Sequence, residues 1–118
     1  MYECALALYQ QKHYERAKEL FAELCTQTPW NRVFWKGLAA CLHMQSAWKE
    51  AIRAWSITLG LHAEDPWCHY HLGECFLAID EHDQAVQAFI LAKQHTNDSD
   101  LLSRIANYEE HFSLTGTL

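Results

Sequence analysis

Small and aromatic residues recur along this chain with a fixed period of 34 residues. Three alanines lie one period apart, and each is followed four residues later by a large aromatic residue: Ala17 by Phe21, Ala51 by Trp55 and Ala85 by Phe89. Residues four apart share one face of an α-helix. The pattern therefore predicts a helix around each alanine, where the small side chain lets a neighbouring helix approach closely.

Apolar residues at helical spacing also predict the helices that precede these three. In the middle of the chain, a first helix begins after Asn31 and runs to about Gln45, and its partner runs from about Ala47 to Leu61. One period later, Pro66 suits the first turn of a helix, with Asp65 ahead of it as the N-cap. The residues that we expect to be buried are Trp35, Leu38, Leu42, Ala51, Trp55, Leu72, Phe76, Ala85 and Phe89.

A 34-residue period built on this pattern is typical of the tetratricopeptide repeat, a helix–turn–helix unit. We expect an all-α fold with three such repeats, at about residues 1–31, 32–65 and 66–97, wound as a right-handed superhelix. A polar cluster at residues 97–100 predicts a C-terminal capping helix at about 98–113, and the tail at 114–118 is expected to fray. Met1 already falls inside the first repeat. We therefore expect the first helix of that repeat to be short and an N-terminal helical arm to be missing.

Composition and charge exclude several classes of protein. The formal net charge is −6, and no cluster of lysine and arginine offsets it, so nucleic acid is not an expected partner. No apolar run approaches the roughly 20 residues of a membrane span. The five cysteines occur without a secretory signal, which indicates reduced thiols in the cytoplasm.

The same period predicts a binding surface on the first helix of each repeat. A stripe rotated by about 100° from the buried one should face the inside of the superhelix. Its predicted peptide-binding residues are Tyr2, Leu6 and Tyr9 in the first repeat, Lys36, Ala40 and His43 in the second, and Tyr70, Glu74 and Leu77 in the third. Tyrosine and leucine in one trough suit an extended apolar peptide. The alternative is that the tyrosines merely cover the inner surface of the array.

Several short motifs make the chain resemble a named family over about residues 2–94. They are Tyr2-Glu-Cys-Ala-Leu6-Ala-Leu-Tyr9, Tyr14-Glu-x-Ala17, Phe21-Ala-Glu-Leu-Cys25, Gly37-Leu38-x-Ala40-Cys41 and His71-x-x-Glu74-Cys75. These residues are similar to those of the class II chaperones of bacterial type III secretion, and they are not part of the general repeat pattern.

The resemblance implies a cytoplasmic bacterial chaperone for the hydrophobic translocator proteins that form the secretion pore. It implies that an extended translocator segment with a Pro-x-Leu-x-x-Pro motif lies in the concave groove. Aromatic residues of the first repeat form the pockets in that family, which carries over to Tyr2, Leu6 and Tyr9. The resemblance leaves open whether the chain forms a homodimer.

Other functions have weaker support in the sequence. His71 and Cys75 are four residues apart on one predicted helix, but a zinc site needs about four converging ligands, and one period separates Cys41 from Cys75, which favours packing. No phosphate-binding loop or activated nucleophile is visible, so we expect neither catalysis nor a cofactor. A general repeat scaffold, or a co-chaperone module that binds another protein's peptide, remains the alternative function.

Overall fold

The computed structural model describes residues 1–111, and these residues form seven α-helices and no strand. The predicted all-α fold, with three helix pairs and a further C-terminal helix, is confirmed. The last two residues of the predicted capping helix and the expected frayed tail lie outside the described residues. None of the described helices is long and apolar enough to cross a membrane.

The chain divides into two compact units, of which the first spans Met1–Ala63. It contains the helices α1 (Tyr2–Gln10), α2 (Tyr14–Gln27), α3 (Arg32–Met44) and α4 (Trp48–Leu61). Its core is built around the ring of Phe21, which packs with Ala5, Ala17 and Leu24. The small alanines allow α1 and α2 to approach each other, as the sequence pattern requires.

The second unit begins at Glu64 and contains α5 (Pro66–Ala78), α6 (His82–Gln94) and α7 (Ser99–His111). Phe89 lies at the centre of its core, with Leu101 and Ile105 of α7 fully buried against it. An amphipathic α7 thus closes the apolar face that α5 and α6 leave exposed.

Helix starts follow the predicted caps. The Asn31 side chain accepts hydrogen bonds from the backbone N–H groups of Val33 and Phe34, at 2.9 and 3.4 Å. Asp65 does the same for Trp67 and Cys68, at 3.0 and 3.2 Å. Each side chain satisfies two N–H groups that have no partner within the helix, which fixes where α3 and α5 begin.

The turn inside each helix pair has a backbone feature that the sequence did not reveal. Lys12, Ser46 and Asp80 adopt positive φ angles of 68°, 58° and 62°, and they lie one period apart. The residue after each one donates a backbone hydrogen bond back to the last turn of the preceding helix, at 2.8 to 2.9 Å. This is a Schellman ending, in which glycine is the usual residue at the positive φ. None of the three residues is glycine, so the sequence lacks the residue that usually marks this kind of helix ending.

Most of the predicted core is buried: Leu42, Ala51, Trp55, Leu72, Ala85 and Phe89. Trp35, Leu38 and Phe76 are only partly buried, which corrects the expectation for these three residues. A hydrogen bond explains why Trp35 is only partly buried: its indole N–H donates to the Pro29 carbonyl at 2.8 Å. That bond holds the ring at the rim of the first unit, where its polar edge has a partner.

Candidate functional site

An open cavity of about 210 Å³ lies between α1 and α3 in the first unit. Side chains of α1 form one wall, α3 forms the other, and the Phe21 ring of α2 lies at the bottom. The lining residues are Tyr2, Leu6, Tyr9, Phe21, Val33, Lys36, Gly37 and Ala40. Five of the nine predicted peptide-binding residues therefore meet in one cavity.

The α1 wall follows from helical spacing. Tyr2, Leu6 and Tyr9 are separated by four and three residues, so they project from one face of a nine-residue helix. The Tyr2 ring packs against Phe34 with the centroids 5.7 Å apart, and it meets the edge of Phe21 at 6.2 Å. These contacts hold Tyr2 in place, whereas Leu6 keeps 36% of its surface exposed at the cavity. Leu6 is the accessible apolar contact of this wall.

Gly37 shapes the opposite wall. A Cβ atom at this position would overlap the Phe21 ring, so only glycine lets α3 lie so close to the aromatic floor. Gly37 and Val33 were missed as site residues when the sequence was considered alone. Glycine inside a helix destabilises it by roughly 0.5–1 kcal/mol, so a glycine at such a position usually has a packing reason. Gly37 in the predicted helix could have been recognised on this ground.

Tyr9 provides the cavity with a hydroxyl group. Its ring meets the edge of Tyr14 at 5.4 Å, which fixes its position at the end of α1. Burial raises the pKa of the Tyr9 hydroxyl, and the neighbouring Tyr14 and Cys41 raise it further. The group is therefore neutral at ordinary pH and can donate a hydrogen bond to a peptide carbonyl or accept one from a peptide N–H.

His43 lies one turn beyond Ala40 on α3 and is not among the residues that line the cavity. The Trp55 indole N–H donates to the Nδ1 atom of His43 over 3.4 Å, and the Trp48 ring meets the imidazole edge at 5.2 Å. In the first unit, His43 therefore links α3 to α4.

In the second unit, the predicted stripe on α5 is covered by α7. Tyr70 is 4% exposed, and its ring packs against Phe89 at 6.0 Å and Tyr108 at 5.9 Å. The Tyr108 hydroxyl donates to Glu74 Oε2 at 2.6 Å, and the second Glu74 oxygen lies 2.9 Å from His71 Nδ1. Leu77 is partly buried against the same core. Within this unit Tyr70 and Glu74 hold α7 through Tyr108, and the contact of Tyr70, Glu74 and Leu77 with a peptide stays a prediction.

The thiols are placed for packing, because Cys25, Cys41, Cys68 and Cys75 are all buried. Burial raises the pKa of Cys25 and Cys41 to about 11 and that of Cys75 to about 12. These three thiols are protonated at neutral pH and are therefore poor nucleophiles. His71, which the sequence placed near Cys75, pairs with Glu74.

Helical repeats with an open, mostly apolar cavity on the first one are typical of proteins that bind peptides. The chain is 26% identical over 110 residues to the chaperone protein SicA of Salmonella typhimurium, which covers 93% of this chain and 67% of SicA. No protein-family model matches the chain.

Two solved structures of the Yersinia enterocolitica type III secretion translocator chaperone SycD have the same fold. One matches with a TM-score of 0.92 and 26% identity, covering 99% of this chain and 83% of SycD. The other, in complex with a peptide of the translocator YopD, matches with a TM-score of 0.91 and 26% identity, covering 98% of this chain and 91% of SycD. The resemblance drawn from the sequence motifs is confirmed, since the structural neighbours are translocator chaperones of type III secretion.

Proposed function

We propose that this protein is a chaperone of type III secretion that binds an extended apolar segment of a hydrophobic translocator protein. Binding keeps the translocator soluble and competent for secretion. The observation that carries this proposal is the open cavity between α1 and α3, into which Tyr2, Leu6 and Tyr9 project. The structure of SycD in complex with a peptide of the translocator YopD supports peptide binding by this chain.

The size of the cavity favours a peptide over a small molecule. Sites for drug-sized ligands usually measure about 300–1,000 Å³, and this cavity is smaller, at about 210 Å³. The cavity suits a few anchoring side chains of a peptide whose backbone continues beyond the cavity on both sides. The tyrosine rings supply contact area with little loss of side-chain entropy, and the Tyr9 hydroxyl can meet a peptide backbone group.

The proposed task needs no catalysis and no cofactor. A translocator carries membrane-active segments that would aggregate in the cytoplasm, so masking apolar surface is sufficient. Ordering a flexible segment opposes binding, and we therefore expect moderate affinity, which also allows release before export. We place the protein in the bacterial cytoplasm, where its translocator partners are made.

Titration with a labelled Pro-x-Leu-x-x-Pro peptide tests the proposal by fluorescence anisotropy. Leu6→Glu puts a charge where the peptide would bury apolar surface, so affinity should fall by more than about tenfold. Tyr9→Ala removes an aromatic wall and should weaken binding by about fivefold to tenfold. Because Leu6 is 36% exposed, Leu6→Glu should leave the melting temperature nearly unchanged.

Leu102→Glu is the matched control, since Leu102 on α7 has the same 36% exposure and lies outside the cavity. It should bind the peptide as the wild type does. A loss of affinity in Leu102→Glu together with normal binding by Leu6→Glu would show that the α1–α3 cavity is not the site.

A further inference from the structure

Gly37 belongs to the α3 wall of the cavity and also lies directly against the Phe21 ring at its bottom. A Cβ atom at position 37 would overlap the Cδ1, Cε1 and Cζ atoms, which form one edge of that ring. Any side chain at this position would therefore displace the ring. The place of the ring, and with it the depth of the cavity, depends on the residue at position 37.

The Phe21 ring has little space to retreat away from the cavity. Ala5 and Ala17, which pack in the same core cluster as Phe21, are both fully buried. Protein interiors are close-packed, so we expect a displaced ring to move toward the open side. Carbon atoms in good contact lie about 3.5–4.0 Å apart, so a Cβ atom on Gly37 would push the ring by about 1 Å or more. That distance is close to the length that one methylene group adds to an extended side chain.

The walls of the cavity are more adaptable than its bottom. Leu6 and Val33 keep 36% and 45% of their surface exposed, so their side chains can change rotamer to accommodate a ligand. Phe21 is 2% exposed and packed within the core, so its ring yields to a ligand far less readily. The depth of the cavity is thus the dimension that selects among ligands.

We propose that Gly37 sets the depth of the cavity and thereby limits the length of the apolar side chain that a bound peptide places in it. The inference rests on the proposed function and names the residue that determines which anchoring side chain fits. A Cβ atom at position 37 would move the Phe21 ring into the cavity and shorten the longest anchor by one carbon.

The experiment measures the affinity of five peptides by fluorescence anisotropy. They have the Pro-x-Leu-x-x-Pro pattern with alanine at each x, and the leucine is replaced by an unbranched side chain of one to five carbons. In the wild type, each added methylene group should strengthen binding by up to about fourfold until the side chain reaches the Phe21 ring. In Gly37→Ala, the rise should end one carbon earlier. The shortest anchors should bind this variant as they bind the wild type, because they do not reach the bottom.

Gly37→Ser places the same Cβ atom beside the ring and should end the rise at the same length as Gly37→Ala. Gly73→Ala is the matched control, because its Cβ atom would overlap Phe89 of the second unit in the same way, and neither residue lines the cavity. This control should keep the wild-type profile even though we expect it to lose more stability. Circular dichroism checks that each variant is folded at the temperature of the titration.

The outcomes separate this inference from the proposed function. If Gly37→Ala weakens all five peptides by the same factor, or leaves the longest anchor unchanged, the role of Gly37 is overturned and peptide capture stands. A shorter limit in Gly73→Ala would overturn that role too, because loss of stability alone would then explain the effect. If no peptide of the series binds the wild type, the proposed function is overturned together with this inference.

Discussion

Two helices of this protein carry the same stripe of residues and use it differently. On α1, Tyr2, Leu6 and Tyr9 line an open cavity. On α5, two periods further along, the equivalent Tyr70 and Glu74 contact Tyr108 of α7, and Leu77 is partly buried against the core of the unit. The two equivalent tyrosines show the contrast, because Tyr70 is buried at 4% exposure whereas Tyr2 is only partly buried.

This contrast teaches that the repeat period fixes where a side chain points and leaves open what lies against it. In the second unit, Tyr108 of α7 supplies both a ring for Tyr70 and a hydroxyl for Glu74. In the second unit, Tyr70 and Glu74 of the α5 stripe therefore have their partners within the chain. In the first unit the same surface stays accessible, and this is where we propose that a peptide binds.

The largest predicted effect compares two glycines that each face an aromatic ring. A Cβ atom on Gly73 would overlap Phe89, just as one on Gly37 would overlap Phe21. Phe89 is held between Tyr70 and Tyr108, at 6.0 and 5.5 Å, whereas Phe21 lines the open cavity, into which we expect its ring to shift. Gly73→Ala should therefore lower the free energy of unfolding by about 2–3 kcal/mol, and Gly37→Ala by only about 1 kcal/mol.

Urea denaturation followed by circular dichroism measures both glycine variants. Gly60→Ala is the control, because a Cβ atom on Gly60 meets nothing within 4 Å, and the change should stabilise α4 by up to about 1 kcal/mol. Equal losses for Gly37→Ala and Gly73→Ala would mean that the cavity gives the Phe21 ring no freedom.

The comparison also shows which parts of the structure were predictable. The starts of α3 and α5 followed from local chemistry, since the Asn31 and Asp65 side chains accept hydrogen bonds from N–H groups in the first turn of each helix. The accessibility of Tyr70 did not follow, because it depends on how closely α7 lies against α5. The contact of Gly37 with the Phe21 ring joins two helices, so it too required the folded chain. The repeat bounds inferred from the period stay a prediction.

A second prediction compares tyrosine hydroxyls in the two units. Tyr108→Phe removes the 2.6 Å hydrogen bond to Glu74 and should lower the free energy of unfolding by about 1–2 kcal/mol, since one partner is a carboxylate. Tyr9→Phe should change it by less than about 0.5 kcal/mol, because the Tyr9 hydroxyl lies at an open cavity that water can enter. Denaturation of the two variants side by side measures the difference. A larger loss of unfolding free energy in Tyr9→Phe than in Tyr108→Phe would contradict the distinction between the open stripe on α1 and the covered stripe on α5.

The smallest predicted effect is the difference between two equivalent buried thiols, Cys75 and Cys41, whose charged neighbours are of opposite sign. Burial raises the pKa of Cys75 to about 12, and the Glu74 carboxylate adds to this. Burial raises the pKa of Cys41 to about 11, and there the Lys18 ammonium acts in the opposite direction. An unfolded thiol ionises near pH 8.5. Above that pH the unfolded chain releases protons that the folded chain keeps, so stability is full below it and falls as the pH rises toward the folded values.

Each buried thiol should therefore contribute a loss of about 1 kcal/mol or more between about pH 8 and about pH 10.5. Cys75→Ala and Cys41→Ala should both flatten the alkaline decline in the free energy of unfolding. Cys75→Ala should flatten it slightly more, because a neighbouring negative charge opposes ionisation in the folded state. Cys4→Ala is the control, since Cys4 is exposed and its removal should leave the slope unchanged. If Cys41→Ala flattens the curve more than Cys75→Ala, the charged neighbours do not set the difference between the two thiols.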